Sequence, residues 1–256
     1  MNAEAHNPIS LSPEYELLQR ELTQARAELE EFTYSVSHDL RASLRHVTAY
    51  VQIIQEDLAG QVNAEIMGHL GTVSTAAQTM SRQIDALGAL SRLGRVEMQL
   101  APINLNDLVT EVMDDMAPAP QAGPLAWHVA ADVPMLLGDA TLIHQVLTEL
   151  LSNAIKFSKQ GSQATVGLSW TLSDHGRCVV TVSDNGVGFN PQYKSKLFHA
   201  FQRLHSSRDF EGMGMGMGLA KCRKIIERHG GEVWAEGKVD GGCLVSFTLP
   251  LASAQR

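Results

Sequence analysis

Residues 144–159 read "HQVLTELLSNAIKFSK", an apolar helix that extends from about Ala140 to Phe157. Glu149, Asn153 and Lys156 fall at spacings of four and three, so they share one face. A carboxylate, an amide and an amine on one apolar helix are an odd structural choice. They suit a hard cation bound together with phosphates: two oxygen ligands for Mg²⁺ and one point charge for a phosphate. A solvated polar stripe is the plain alternative. Phe157 belongs either to a core or to a pocket rim, where its ring can stack on a planar base.

Outward from this helix the texture is that of an α/β domain. "LAWHVA" (125–130) precedes it, and "ATVGLSWTL" (164–172) and "RCVVTVSD" (177–184) follow, separated by the hairpin signal "SDHG" (173–176). A helix near Lys194 to Phe201, another from Leu219 to His229, and strands in "GEVWAEG" (231–237) and "CLVSFTLPL" (243–251) complete the domain. An antiparallel pair with helices after strands predicts an α/β sandwich, a mixed sheet covered by helices on one face.

Three more segments of this domain look chemical. In "SDNGVGFNP" (183–191), Asp184 closes a strand, while Gly186 and Gly188 let the backbone turn and approach a ligand closely. A carboxylate there suits an exocyclic amine such as that of adenine; an ordinary Asp-Asn-Gly turn is the bland reading. In "KLFHAFQRLHSSRDFEG" (196–212), the anchors Leu197, Phe198 and Phe201 precede a polar loop. Arg203 and Arg208 are available there for phosphate contacts or as surface charges. The run "EGMGMGMGLAK" (211–221) places Gly214, Gly216 and Gly218 just before a helix starting near Leu219. Backbone N–H groups can meet an anion there, at the positive end of the helix. Each signal is weak alone, and four in this order are strong.

The first third of the chain differs. Leu18, Leu22, Ala25, Leu29, Phe32 and Val36 recur at alternating steps of four and three, the seam of a coiled coil. Consecutive steps of four around Val36 and Leu40 give a phase slip before the pattern continues through Leu44, Val47, Val51 and Ile54. This helix should end near Gly60. A second, capped at Asn63, carries Ile66, Leu70, Val73, Ala77, Met80, Ile84, Leu87 and Ser91. A helical hairpin cannot bury both seams well, so two copies should form a four-helix bundle, a homodimer. Packing of the hairpin on its own chain is the alternative. The expected fold class is α+β: a dimeric four-helix bundle followed by an α/β sandwich. The expected parts are a tail and coiled-coil linker (1–30), a helical dimerisation part (31–96) and the α/β domain (97–256).

The 256 residues are 44% hydrophobic and 19% charged, with a net charge of −8. That is a globular composition. It has no basic cluster for nucleic acid and no apolar run long enough for a membrane span. The N-terminus lacks signal-peptide features, so the chain reads as soluble and cytoplasmic. Cys178, Cys222 and Cys243 are far apart, without metal-ligand spacing, and read as buried thiols of a reducing compartment.

The order of Asn-containing helix, Asp-x-Gly-x-Gly, aromatic pair and glycine-rich loop resembles the Bergerat-type ATP-binding domain of sensor histidine kinases, gyrase and MutL. "FTYSVSHDLRASLRHV" (32–47) resembles the phosphoacceptor box of a histidine kinase, with wording like that of kinases attached to phytochrome and PAS sensors. The resemblance covers roughly residues 28 to 252. It implies an ATP-dependent protein-histidine kinase with His38 as nucleophile and Asp39 as the adjacent acid that fixes its tautomer. By resemblance, Glu149 and Asn153 hold Mg²⁺, Lys156 and Arg203 meet phosphates, Phe157 packs on adenine and Asp184 reads its amino group. Gly186, Gly188, Gly214, Gly216, Gly218 and Leu219 frame the nucleotide. The implied partners are a second copy of the chain, the receiver domain of a separate response regulator, and an upstream sensor domain or protein. A silent dimeric scaffold and a gyrase-like ATPase are the competing readings.

The chain departs from the family pattern in three places. Ser43 stands where a proline usually bends the helix. Ala42 stands where relatives place Thr or Asn to position water for dephosphorylation, which implies weak phosphatase activity. Gly212-Met213 resembles an extra unit of the glycine loop, whose methionines are expected to pack as apolar spacers.

Overall fold

The computed structural model describes residues 13–116, 125–158, 163–204 and 214–252. The polar first dozen residues, Arg208 and the Gly212-Met213 unit lie outside them. The chain divides into two compact units, Met1–Arg92 and Leu93–Arg256.

The first unit is a hairpin of two long helices. Helix α1 (Pro13–Asp57) runs unbroken through the position of the missing proline; Ser43 Oγ donates back to the Asp39 carbonyl at 3.3 Å. Gly60, at φ +74, makes the turn. Asn63 Oδ1 then accepts from the Ile66 N–H at 2.9 Å, satisfying a first-turn donor of α2 (Ala64–Arg95). Small and polar residues join the two helices. Ser37 and Ala77 are almost fully buried, the Ser37 side chain lies against Gly88, and Arg41 Nε pairs with Asp85 Oδ1 at 2.6 Å. Much of the apolar seam is left outside: Leu29 is 65% exposed and Phe32 66%, with Leu18, Leu22, Leu40, Val47, Ile66, Val73 and Met80 exposed as well, whereas Val51 is buried and Leu44, Leu70, Ile84 and Leu87 are half-buried.

The second unit is a five-stranded mixed sheet in the order β2-β4-β5-β7-β6, with β2 (Leu125–Val129) parallel to β4 (Ala164–Leu172) and every other pair antiparallel. The hairpin from β4 to β5 (Arg177–Asp184) turns at Ser173–Gly176, where the Gly176 N–H donates to the Ser173 carbonyl at 2.9 Å. Strands β6 (Val233–Gly237) and β7 (Cys243–Pro250) complete the sheet. Helices α3 (Leu105–Asp115), α4 (Ala140–Lys156) and α5 (Gly218–Arg228) cover one face. The core joins Ile143, Val146, Leu147, Leu150 and Leu151 of α4 to Val166, Val180, Val182, Phe247 and Leu249 of the sheet. Alternate residues of β5 and β7 point the other way, where Thr181 and Ser246 share a hydroxyl hydrogen bond of 2.9 Å.

Two features depart from the sequence reading. Between the units' long helices and β2, the sequence gives only a change of texture. The structure places there a small ladder, β1 (Ala101–Ile103) with β3 (Leu136–Gly138), and the amphipathic α3 capped by Asn104. The helix expected near Lys194 to Phe201 is instead a 3-10 helix, Pro191–Lys196. Asn190 Oδ1 accepts from the Gln192 N–H at 3.0 Å and fixes its start at the proline. Leu197 and Phe198 then drop into a second apolar cluster with Phe189 and Ala235, and Phe201 leaves the helical region at φ +62 and stays exposed.

The α5 C-terminus holds the start of this unit. Its Arg228 guanidinium donates to the carbonyls of Leu93 and Val96. His229 Nε2 accepts the Asp139 N–H at 3.0 Å, while its Nδ1 lies 2.8 Å from the Ile225 carbonyl. Asp139 in turn accepts from Gln99 and caps α4 through Leu142.

Candidate active site

Once Asp139 has fixed the start of α4, the helix carries Glu149, Asn153 and Lys156, all half-buried, along one side toward its C-terminus. Phe157 is its C-cap. The Phe157 carbonyl accepts the Val187 N–H at 3.0 Å, which joins the helix end to the turn after β5. That approach demands Gly186, because a Cβ there would collide with the Phe157 carbonyl. Gly188, at φ +59, is packed in the same way on the Lys238 carbonyl. So these two glycines serve contact between protein backbones.

Asp184 ends β5 above that turn. Its Oδ1 accepts from the Gly186 N–H at 2.8 Å and the Cys243 N–H at 3.2 Å. Both backbone donors are spent on one oxygen, and Oδ2 remains for a further donor. Burial pushes the Asp184 carboxyl above its ordinary value, against the two hydrogen bonds, which hold it down. A half-desolvated acceptor at a strand end recognises an N–H donor well, since both lose water together.

The other end of the site is cationic. Burial, and then the neighbouring Arg203, push the Lys156 ammonium below its ordinary value, while Glu149 opposes them. Lys156 also stands 5.8 Å from the centre of the Phe157 ring. Helix α5 begins at Gly218, and its N-cap residue, Met217, makes no side-chain cap hydrogen bond. Met217 is buried and Met215 half-buried, as apolar spacers should be. Gly216, at φ +75, abuts the backbone of Phe201 and Gln202, so the two loop ends meet. Gly214 has open space around it, and Leu219 packs into the apolar clusters. Among the described residues, then, the start of α5, Lys156 and Arg203 converge on the C-terminal half of α4.

One participant was missed in the sequence. Lys221 Nζ lies 3.1 Å from Glu149 Oε1, with both side chains about one-third exposed (33% and 30%), and Glu149 Oε2 sits directly over Gly218. A lysine in the first turn of a helix opposes the helix dipole. That is the signal in "GLAK" that points to an acidic partner.

In the first unit, His38 projects from α1 with its side chain 64% exposed, and its Nδ1 is 3.3 Å from Asp39 Oδ1. Nε2 faces away from that contact. The cysteines are free thiols; burial pushes Cys178 up to about 11, and burial with the nearby Asp184 pushes Cys243 up to about 12. Such thiols stay protonated and unreactive.

Residues 138–253 match the family described as histidine kinase-, DNA gyrase B- and HSP90-like ATPases. Cyanobacterial phytochrome B of a Nostoc species is 31% identical over 229 residues, 90% of this chain and 30% of that protein. The methanogenesis regulatory histidine kinase FilI of Methanothrix harundinacea is 31% identical over 230 residues, 90% of this chain and 25% of that protein. A crystal structure of full-length ShkA in complex with AMPPNP superposes with a TM-score of 0.59 at 27% identity, over 88% of this chain and 46% of that one. Together these likenesses support a sensor histidine kinase. The chain spans less than a third of the length of these curated relatives. Like the relatives' kinase parts that it matches, the chain has two long helices and a mixed α/β sheet unit, and no helix among the described residues is long and apolar enough to cross a membrane.

Proposed function

We propose that this chain is an ATP-dependent protein-histidine kinase that phosphorylates itself on His38 and passes the phosphoryl group to an aspartate of a response regulator's receiver domain. The observation that carries the reading is the convergence of Lys156, Arg203 and the uncapped start of α5 on one end of α4. Two cations that repel each other beside a positive helix end form a site for a polyphosphate. Asp184 supplies the opposite pole, with Oδ2 accepting the adenine amino group, and Phe157 forms the rim beside the base.

Glu149 and Asn153 lie one turn apart on α4 and offer two hard oxygen donors, a set that fits Mg²⁺ when phosphate and water complete its shell. The ion supplies charge neutralisation on the phosphates. The protein's own part is positioning. Asp39 holds the Nδ1 side of the His38 ring, so the neutral Nε2 presents its lone pair to the γ-phosphorus. A nitrogen–phosphorus bond forms as the bond to the β-phosphate oxygen breaks, and ADP leaves. Lys156 and Arg203 take up charge on the transferring group.

The kinase is taken to act as a dimer because the exposed members of its seam, among them Leu18, Leu29, Phe32, Leu40, Val73 and Met80, make a face too apolar to stay in water. The experiment is incubation with Mg²⁺ and ATP labelled at the γ-phosphate, with a His38→Gln variant alongside. Acid-labile, alkali-stable label on the chain that is absent from the variant is the expected outcome. Label released only to solution would replace the reading with a gyrase-like ATPase, and bound nucleotide without label would replace it with a scaffold.

A further inference from the structure

Glu149 is half-buried among cations, yet its carboxylate is already engaged. Lys221 Nζ holds Oε1 at 3.1 Å, and Oε2 rests over the Gly218 backbone at the uncapped start of α5. The lysine spends its charge where the helix end already supplies a positive field, so it adds little to the stability of α5. It acts mainly on the carboxylate. Lys156 also feels the charge of Glu149, but burial and Arg203 weigh more on it.

We propose that Lys221 is a positioning residue for Glu149, an internal cation that neutralises the carboxylate in the resting site and yields its place when a divalent cation arrives with nucleotide. The inference rests on the nucleotide-binding reading above and deepens it. Two consequences follow from charge alone. In the resting site the pair hides one negative charge from an incoming polyphosphate, so Lys221 favours binding of metal-free nucleotide. A divalent cation held by Glu149 would have to compete with Lys221 for the carboxylate, so Lys221 raises the concentration of divalent cation needed. Removing its charge therefore has opposite effects on the two forms of the ligand. Loss of mere packing would weaken both together.

The test is equilibrium binding of a fluorescent, non-hydrolysable ATP analogue to the full chain, in excess EDTA and across a Mg²⁺ titration, for Lys221→Met and Lys221→Arg. Methionine keeps the helix propensity and the aliphatic stem, and Tm by calorimetry reports any unfolding. Expected for Lys221→Met are about 3- to 10-fold weaker binding in EDTA and a half-saturating Mg²⁺ concentration lowered by about the same factor, as fits a partly solvated pair. Lys221→Arg should restore both toward the parent values. Parent-like values for Lys221→Met, or a shift of both in the same sense, would overturn the inference and leave the nucleotide site standing. Failure of the parent chain to bind the analogue under any condition would remove both.

Discussion

At the scale of single residues, the structure separates groups that hold the fold from groups poised for chemistry. Asp184 holds the turn through Gly186 and Cys243 and, in the proposed function, also meets the base, at some cost. Burial raises its carboxyl above the ordinary value, so the native state binds the proton more tightly than the unfolded one. Its contribution to stability is therefore best at low pH and is lost as pH rises from the ordinary aspartate value through the raised one. Asp184→Asn keeps an oxygen for the Gly186 and Cys243 N–H groups and discards the charge. We expect the variant to be as stable as the parent or more so at neutral pH, with a flatter pH dependence, while ATP affinity falls by about a hundredfold. Calorimetry across pH and isothermal titration check the two halves. Gly218→Ala addresses the neighbouring pole: its methyl would meet the Glu149 carboxylate and push it off Lys221. The expected result is loss of nucleotide affinity with Tm little changed, read in the same two assays.

At the scale of elements, caps and closures decide where each helix sits. Burial raises the Asp139 carboxyl, but the N–H groups of Gln99, Leu142 and Thr141, with His229, outweigh it and leave the group below its ordinary value. The stability it contributes is thus present above the ordinary aspartate range and lost as pH falls through the lower folded value. Asp139→Ala should cost about 1–2 kcal/mol in urea unfolding of the chain and remove that part of the acid sensitivity. Elements with strong periodicity or strong punctuation were legible in the sequence: the two long helices, the "SDHG" hairpin and the helix of Glu149. Helix α3 was not, because its signal is only Asn104 followed by three buried positions, Leu105, Val109 and Val112. The stretch at 194–201 misled because its apolar residues Leu197, Phe198 and Phe201 have helical spacing, whereas burial draws the first two into a cluster and turns the third out. The Glu149–Lys221 pair spans 72 residues and depends on Gly218 being bare, a tertiary fact that spacing alone does not contain.

At the scale of the whole molecule, the hairpin buries mainly the small residues Ser37, Ala77 and Gly88, with Val51 the larger apolar side chain it covers. Many large side chains of the seam remain exposed, and the proposed dimer would cover them. Sedimentation should give twice the chain mass. Leu29→Glu combined with Phe32→Glu should lower self-association by at least about tenfold, since each buried side chain of this size contributes roughly 1.5–3 kcal/mol, and nucleotide binding should survive. A chain that sediments as a monomer at micromolar concentration would sink the dimer.

The grip of Arg228 on Leu93 and Val96 has a practical meaning for anyone dividing the gene. The carbonyls of Leu93 and Val96 are closed by a side chain encoded more than 130 residues later, so the natural point for excision lies upstream of Leu93. A fragment begun after Val96 would leave the guanidinium without its carbonyls, beside the Asp139–His229 joint that it borders. It should be recovered in lower yield and melt earlier than one begun at Arg92.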